Sequence, residues 1–326
     1  MVKALLTGGT GFLGSNLAEA LLQRGYHVRI LRRASSDTQL INHLTIEHSI
    51  GNTRDIESLG KAMVGIDLVF HTAAMVTFLK QHRDEQLEVN VGGTKNVVQA
   101  CLVSGVRRLI HTSSIAAIGY PEHGELADEQ TPYNWEGTGG YKYSKHAAEQ
   151  EVYAGIKRGL DAVIVNPSVI IGERDIHFHG GHLLRAVKKG MTPLCVKGGM
   201  NIVYVGDVVN GEILAAERGK KGERYVLAGE NLTHKDIFRR TARIVGGIPA
   251  VAPLPIPVLR FAAFCLEGVA KVTGTEPLVS RDLVAGAGKF NWFSSEKAIR
   301  ELGYSVTPFD TTIRRAYQWY GERGML

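Results

Sequence analysis

The residues that most narrow the choice of fold are Thr7-Gly8-Gly9-Thr10-Gly11-Phe12-Leu13-Gly14. They follow a short apolar run at 3–7 and open a segment at 12–24 whose Leu13, Leu17, Ala20 and Leu21 share one helical face. A glycine-rich turn between strand and helix brings backbone N–H groups and the positive end of the helix to a phosphate. On this reading Gly8 permits the tight turn, Gly11 admits a pyrophosphate to the backbone, and Gly14 lets helix and strand pack closely. Thr10, Phe12 and Leu13 lie on the same turn and join these glycines as candidates for holding a dinucleotide.

The alternation begun there continues. Strands are expected at 3–7, 27–32, 68–71, 108–112 and 162–165, and helices at 12–24, 56–63, 85–104 and 142–158. That order predicts an α/β, doubly wound parallel sheet over residues 1–166. Beyond Pro167 the alternation loosens and Gly, Pro and His accumulate up to about Met191. Residues 167–326 read mainly as a smaller, mixed, substrate-binding lobe. A strand at 203–205 and a helix at 208–217 look like a return to the main sheet. A strand at 225–227 and helices near 235–245, 258–272 and 311–323 complete the expected elements.

Composition removes several function classes. The 326 residues carry a net charge of +6, with Lys and Arg scattered and no basic stripe interleaved with aromatics, which argues against nucleic acid as partner. Three cysteines, at 101, 195 and 265, form no CxxC and no even framework, so a cytoplasmic, reducing compartment is expected and structural zinc is not. The first residues lack a signal-peptide pattern. The greasiest later stretch, 248–272, is broken by four prolines and by Arg260, Glu267 and Lys271, so no transmembrane segment is expected. From Val258 it reads as an amphipathic helix that packs on the protein itself or touches a membrane surface or partner.

The end of the second strand selects the nucleotide. An acid there bonds the 2′-OH of NAD, whereas arginine accommodates the 2′-phosphate of NADP. The chain reads Leu31-Arg32-Arg33-Ala34-Ser35-Ser36-Asp37, with Arg32 at the expected acid position. Arg32, Arg33 and Ser35 make a phosphate clamp and point to NADP, while Asp37 leaves NAD open.

Tyr141-Lys142-Tyr143-Ser144-Lys145 contains Tyr-x-x-x-Lys, which on a helix sets Lys145 beside Tyr141. A free phenol, with a pKa near ~10, is a poor base at neutral pH, and a neighbouring ammonium favours its ionised form. Together with the TGxxGxxG turn, this motif resembles the extended short-chain dehydrogenases/reductases, and the likeness spans nearly the whole chain. The family is a Rossmann fold. Its SSxxxxG segment is matched by Ser113-Ser114-Ile115-Ala116-Ala117-Ile118-Gly119 after the strand ending at Thr112, which aligns Ser114 with the serine that bonds the substrate oxygen. His71-Thr72-Ala73-Ala74 resembles the HxAA strand end beside the cofactor, and Asn90-Val91-Gly92-Gly93-Thr94 the NxxGT turn, in which Asn90 would brace the site. Asn166-Pro167-Ser168 resembles the strand end whose backbone meets the nicotinamide. Gly51-Asn52-Thr53-Arg54-Asp55-Ile56 matches GDxxD with Asn52 for the first Asp, so Asp55 and Ile56 would meet the adenine. Asp55 is equally a good helix N-cap.

The resemblance implies hydride transfer between nicotinamide and a carbonyl or alcohol, with Tyr141 as acid/base and Lys145 also on the nicotinamide ribose. Ile115-Ala116 stands where dehydratases carry Asp-Glu. Gly222-Glu223-Arg224-Tyr225-Val226-Leu227-Ala228-Gly229-Glu230-Asn231-Leu232-Thr233 resembles bacterial dihydroflavonol-reductase-like proteins, including those named hopanoid-associated sugar epimerases. Met75, Thr77 and Phe78, and the loop 174–182, are candidates to face substrate. His177, His179 and His182 there are read as a polar substrate loop, with no metal assigned. Arg174, Arg185, Lys188 and Lys189 would meet a diphosphate if the substrate were a sugar nucleotide. A reductase is the leading reading. A nucleotide-sugar epimerase is the alternative, and a non-catalytic NADP-sensing protein a further one. Related enzymes often pair through two helices, here 85–104 and 142–158, so a homodimer through them is open, as is a monomer.

Overall fold

The computed structural model describes residues 2–119, 121, 125–135, 139–190, 194–249, 252–254, 257, 258, 261, 264, 268 and 288–326. Its first half alternates strands β1 (Lys3–Thr7), β2 (His27–Arg32), β3 (Glu47–Ile50), β4 (Leu68–His71), β5 (Arg108–Thr112) and β6 (Ala162–Pro167) with helices. Those helices are α1 (Phe12–Gln23), α2 (Ile56–Ala62), the short α3 (Arg83–Leu87), α4 (Gly93–Ser104) and α5 (Gly140–Lys157). The second half holds β7 (Val169–Ile171), α6 (Gly181–Lys188), β8 (Leu194–Val196), β9 (Gly199–Tyr204), α7 (Val205–Arg218), β10 (Arg224–Leu227) and β11 (Glu230–Thr233). α8 (His234–Val245), β12 (Ala252–Leu254), β13 (Phe290–Asn291), α9 (Glu296–Leu302) and α10 (Phe309–Glu322) follow.

Seven parallel strands make the main sheet in the order β10-β6-β5-β4-β1-β2-β3. Both faces are covered. Leu17, Leu21, Val208 and Ile213 of α1 and α7 bury one side, and Leu59, Val97, Val98 and Val152 of α2, α4 and α5 bury the other. This is why the inner strands read as unbroken apolar runs, such as Leu5 and Leu6 in β1, instead of alternating. The chain leaves β1 for β2 on one side and resumes with β4 on the other, so the topological switch point, where such sheets form a crevice, lies just beyond Thr7 and His71 at the strand ends.

Beyond the unexpected β7, α6, β8, β11, β12, β13 and α9 of the second half, three departures from the expected elements stand out. The strand expected at 203–205 belongs to a smaller sheet, where β9 pairs antiparallel with β11 and parallel with β7 and β13. Asn201 holds it there. Its side chain donates to Gly229 O and Asn231 Oδ1 and accepts from Gly229 N. The main sheet is instead rejoined by α7, packed on its face, and by β10 beside β6. Second, the helix expected at 85–104 is interrupted by a π-turn at Glu88–Gly92, which rotates Asn90 inward. Third, β3 was not expected, since Glu47-His48-Ser49-Ile50 is a polar, exposed edge strand without apolar alternation. The helix expected at 258–272 lies almost wholly outside the described residues, as does Cys265. Among the described residues no helix is long and apolar enough to cross a membrane.

Candidate active site

The glycine turn lies at the crevice. Gly8 has φ 75°, and a Cβ on it would stand 2.7 Å from Ala73 N. A Cβ on Gly14 would stand 2.2 Å from Gly8 O. Gly11 N donates to Gly8 O at 3.0 Å and closes the turn. Gly11 also caps α1 with extended backbone and no side-chain cap, leaving the leading N–H groups to a ligand. Thr10, Phe12 and Leu13 are half-buried around this opening. A cradle in which added side chains collide and amides lack a cap fits the pyrophosphate of a dinucleotide. Gly9 is needed too, because its Cβ would meet Ile30 Cδ1 at 2.7 Å.

A directed chain of hydrogen bonds locks the turn to β4. Thr94 Oγ1 donates to Asn90 O at 2.6 Å, so it accepts from His71 Nε2 at 3.0 Å. His71 Nδ1 then accepts from Thr7 Oγ1 at 2.7 Å, and Thr7 Oγ1 accepts from Ala73 N at 3.4 Å. His71 is thereby a neutral Nε2–H imidazole. Burial, seconded by the Lys145 charge, holds its pKa down to about 3. Thr72 donates to Thr7 O at 2.8 Å, and with Ala73 and Ala74 it lines the crevice half-buried.

Asn90 joins that crevice to α5. Its Oδ1 accepts from Met75 N at 2.7 Å, while its Nδ2 donates to Met75 O at 3.0 Å and Ser144 Oγ at 2.9 Å. Asn90→Ala leaves Met75 N without its acceptor and takes a donor from Met75 O and Ser144 Oγ, which keep their bonds to Gln86 Nε2 and Tyr141 O. A loss of about 3 kcal/mol in urea unfolding is expected. Met75 is thus held by its backbone, and Gln86 donates to the carbonyls of Met75 and Thr77.

Ser114, Tyr141 and Lys145 come together. Gly139 and Gly140, at φ 57° and 65°, turn the chain sharply into α5, and Tyr141 follows at once. Burial raises the pKa of the Tyr141 phenol, and the neighbouring Ser114 side chain lowers it in part. Phe78 meets the Tyr141 ring edge-on, centroids 6.0 Å apart. Lys145, one turn along, is buried, and its Nζ donates to Thr112 O at 2.8 Å. Burial brings its pKa down to about 8 against the opposing pull of Glu149 and Glu212. Asn166 donates to Ser114 O at 2.9 Å and Glu149 Oε1 at 2.6 Å, which fixes the end of β6, where Pro167 is buried.

The residues expected to select the nucleotide follow the end of β2. Arg32 Nε donates to His48 Nδ1 at 3.2 Å, and Arg33 and Ser35 are exposed. Neither arginine is in an ion pair among the described residues. Asp37 accepts from Gln39 N at 2.9 Å and Gln39 Nε2 at 2.7 Å, so both its oxygens are engaged. Asp55 caps α2 through Glu57 N and Ser58 N, and the adjacent Ile56 is exposed.

The second-lobe cations do not gather as a diphosphate site. Arg174, at φ 71°, donates to Ser15 O at 2.8 Å and pairs with Glu19 at 2.9 Å. Arg185 donates to Met325 O and stacks over Phe178. Lys188 lies over Tyr317. Among the described residues no three His, Cys, Asp or Glu gather as metal ligands. Sequence reasoning missed Glu149 and Glu212, buried carboxylates near Lys145, because acids inside amphipathic helices carry no motif.

Comparison with known proteins agrees with this arrangement. The model of the NAD dependent epimerase/dehydratase family matches residues 4–228. A Synechocystis protein provisionally named dihydroflavonol 4-reductase is 37% identical over 98% of this chain and 94% of its own. Sterol demethylase protein B of Methylococcus capsulatus is 34% identical over 100% of both. The crystal structure of gox2253 is 39% identical, with a TM-score of 0.88 over 100% of both chains. With a glycine turn, a Tyr-x-x-x-Lys helix and a 3-2-1-4-5-6 strand core in place, the chain belongs to the NAD dependent epimerase/dehydratase family, within the extended short-chain dehydrogenases/reductases.

Proposed function

We propose that this protein is an NADP(H)-dependent oxidoreductase acting on a carbonyl or alcohol, with Tyr141 as its acid/base. The observation that carries the proposal is that Ser114 stands by the Tyr141 phenol, one helical turn from buried Lys145, in a chain whose glycine turn is uncapped. A bound nicotinamide dinucleotide would supply the hydride. The protein's own groups do the rest. Ser114 holds the substrate oxygen, and Tyr141, kept protonated by burial, gives it a proton in the reductive direction. Lys145 offsets the phenolate that this transfer leaves. The turn amides and Arg32, Arg33 and Ser35 hold the pyrophosphate and the 2′-phosphate. The free, buried Cys101 thiol supports a reducing, cytoplasmic setting.

On the substrate side Val76, Phe78 and Leu79 are 53%, 79% and 42% exposed, and Phe78 abuts Tyr141. An apolar skeleton would cover this group, in keeping with relatives named sterol demethylase protein B and, at 32% identity, a farnesyl-dihydroquinoline-oxide ketoreductase of Stigmatella aurantiaca. Nucleotide-sugar epimerisation is the second reading, favoured by 28% identity to a nucleoside-diphosphate-sugar epimerase from Pseudomonas aeruginosa (TM-score 0.83). The internal engagement of Arg174 and Arg185 weighs against it. Titration with NADPH and NADH, read by nicotinamide fluorescence, tests the cofactor half. NADPH is expected to bind about tenfold tighter or better, and Arg32→Ala to erase the difference. A preference for NADH, or NAD retained through purification, would overturn the NADP reading and favour the epimerase.

A further inference from the structure

Glu212 lies in the middle of α7 and is fully buried. Its Oε1 accepts from Thr112 Oγ1 at 2.5 Å, a length typical of a hydroxyl bonded to an ionised acceptor. Oε2 has no partner among the described residues. Thr112 therefore connects two charges, its hydroxyl on Glu212 and its carbonyl on Lys145 Nζ at 2.8 Å. The other ionisable groups around Lys145 are accounted for. Glu149, one turn along α5, is paired with Arg224 of β10 at 3.4 Å and with Asn166. His71 of β4 and His111 of β5 are held neutral by burial. Glu212 enters no ion pair among the described residues, so the ammonium of Lys145 is the charge that answers its own.

We propose that Glu212 is a positioning residue for Lys145: through Thr112 it anchors the carbonyl that holds the ammonium, and its carboxylate keeps that ammonium protonated out of reach of water. The inference builds on the reading of Lys145 and Tyr141 given above. Burial raises the Glu212 pKa to about 7, with Thr112 and Lys145 opposing. Its support for Lys145 is therefore present above that pH and is lost as pH falls through it.

The test is a titration of lysine Cε by carbon NMR on the full-length protein, with Lys145→Arg locating the Lys145 resonance. Glu212→Gln keeps the shape and the acceptor for Thr112 but removes the charge. The Lys145 midpoint is expected to fall by about one unit or more. Thr112→Val should move it the same way by less, since Glu212 then loses the donor that favours its ionised form. An unchanged midpoint in Glu212→Gln overturns the proposal. Should that variant not fold, an unchanged midpoint in Thr112→Val does so instead. No turnover is needed for this readout. Retained activity in Tyr141→Phe would sink the catalytic reading alone, and an unmoved Lys145 the Glu212 assignment alone.

Discussion

Tyr141→Phe is expected to lower kcat for carbonyl reduction by roughly 10²- to 10⁴-fold, the range over which positioned proton transfer acts. The substitution removes one oxygen and keeps the ring that packs edge-on against Phe78. The apolar contacts of α5 should therefore survive, and the melting temperature should stay close to that of the parent. NADPH affinity should change little, since Lys145 remains on Thr112 O and the glycine turn is untouched. Steady-state kinetics beside fluorescence titration separates the outcomes. A fall in kcat with unchanged NADPH binding is the signature of lost proton transfer, whereas full activity would remove Tyr141 from the chemistry.

The second large effect is expected at Gly14. An alanine Cβ would lie 2.2 Å from Gly8 O and 2.8 Å from Gly9 Cα, both backbone atoms that no rotamer change can move. The start of α1 must then back away from β1, and the turn must open. The overpacking should cost about 1–3 kcal/mol in urea unfolding. NADPH affinity should fall by about 10²-fold or more, because the amides proposed to hold the pyrophosphate no longer converge. Gly25 is the control. With no atom within 4 Å of its added Cβ, Gly25→Asn leaves the turn intact and should leave NADPH binding as it was.

Much of this site could be read along the chain because it is built from local patterns. Lys3–Thr7, His27–Arg32, Leu68–His71 and Arg108–Thr112 have the bounds that their apolar runs suggest. Strands buried on both faces must be apolar throughout, and the polar turns between them are unmistakable. Gly8 and Gly14 were legible because backbone crowding admits no other residue. Tyr141 and Lys145 were legible because four residues make one helical turn. The edge strand β3 was not, since a strand that buries little needs no apolar pattern. Nor was the π-turn through Asn90, whose side chain meets a distant partner, Ser144.

The division follows the range of the forces. Periodicity, turn chemistry and glycine at crowded backbone act over a few residues, so the order of residues already specifies a doubly wound sheet, a tight glycine turn and a Tyr-Lys helix. The placement of β9 in the smaller sheet, the engagement of Arg174 with α1 and the linkage of Glu212 to Lys145 depend on groups brought from far along the chain. Thr112 and Glu212 are 100 residues apart in sequence. Burial makes their pairing matter, because a charge withdrawn from water must find its partner in the fold, and only the folded chain decides which partner is near.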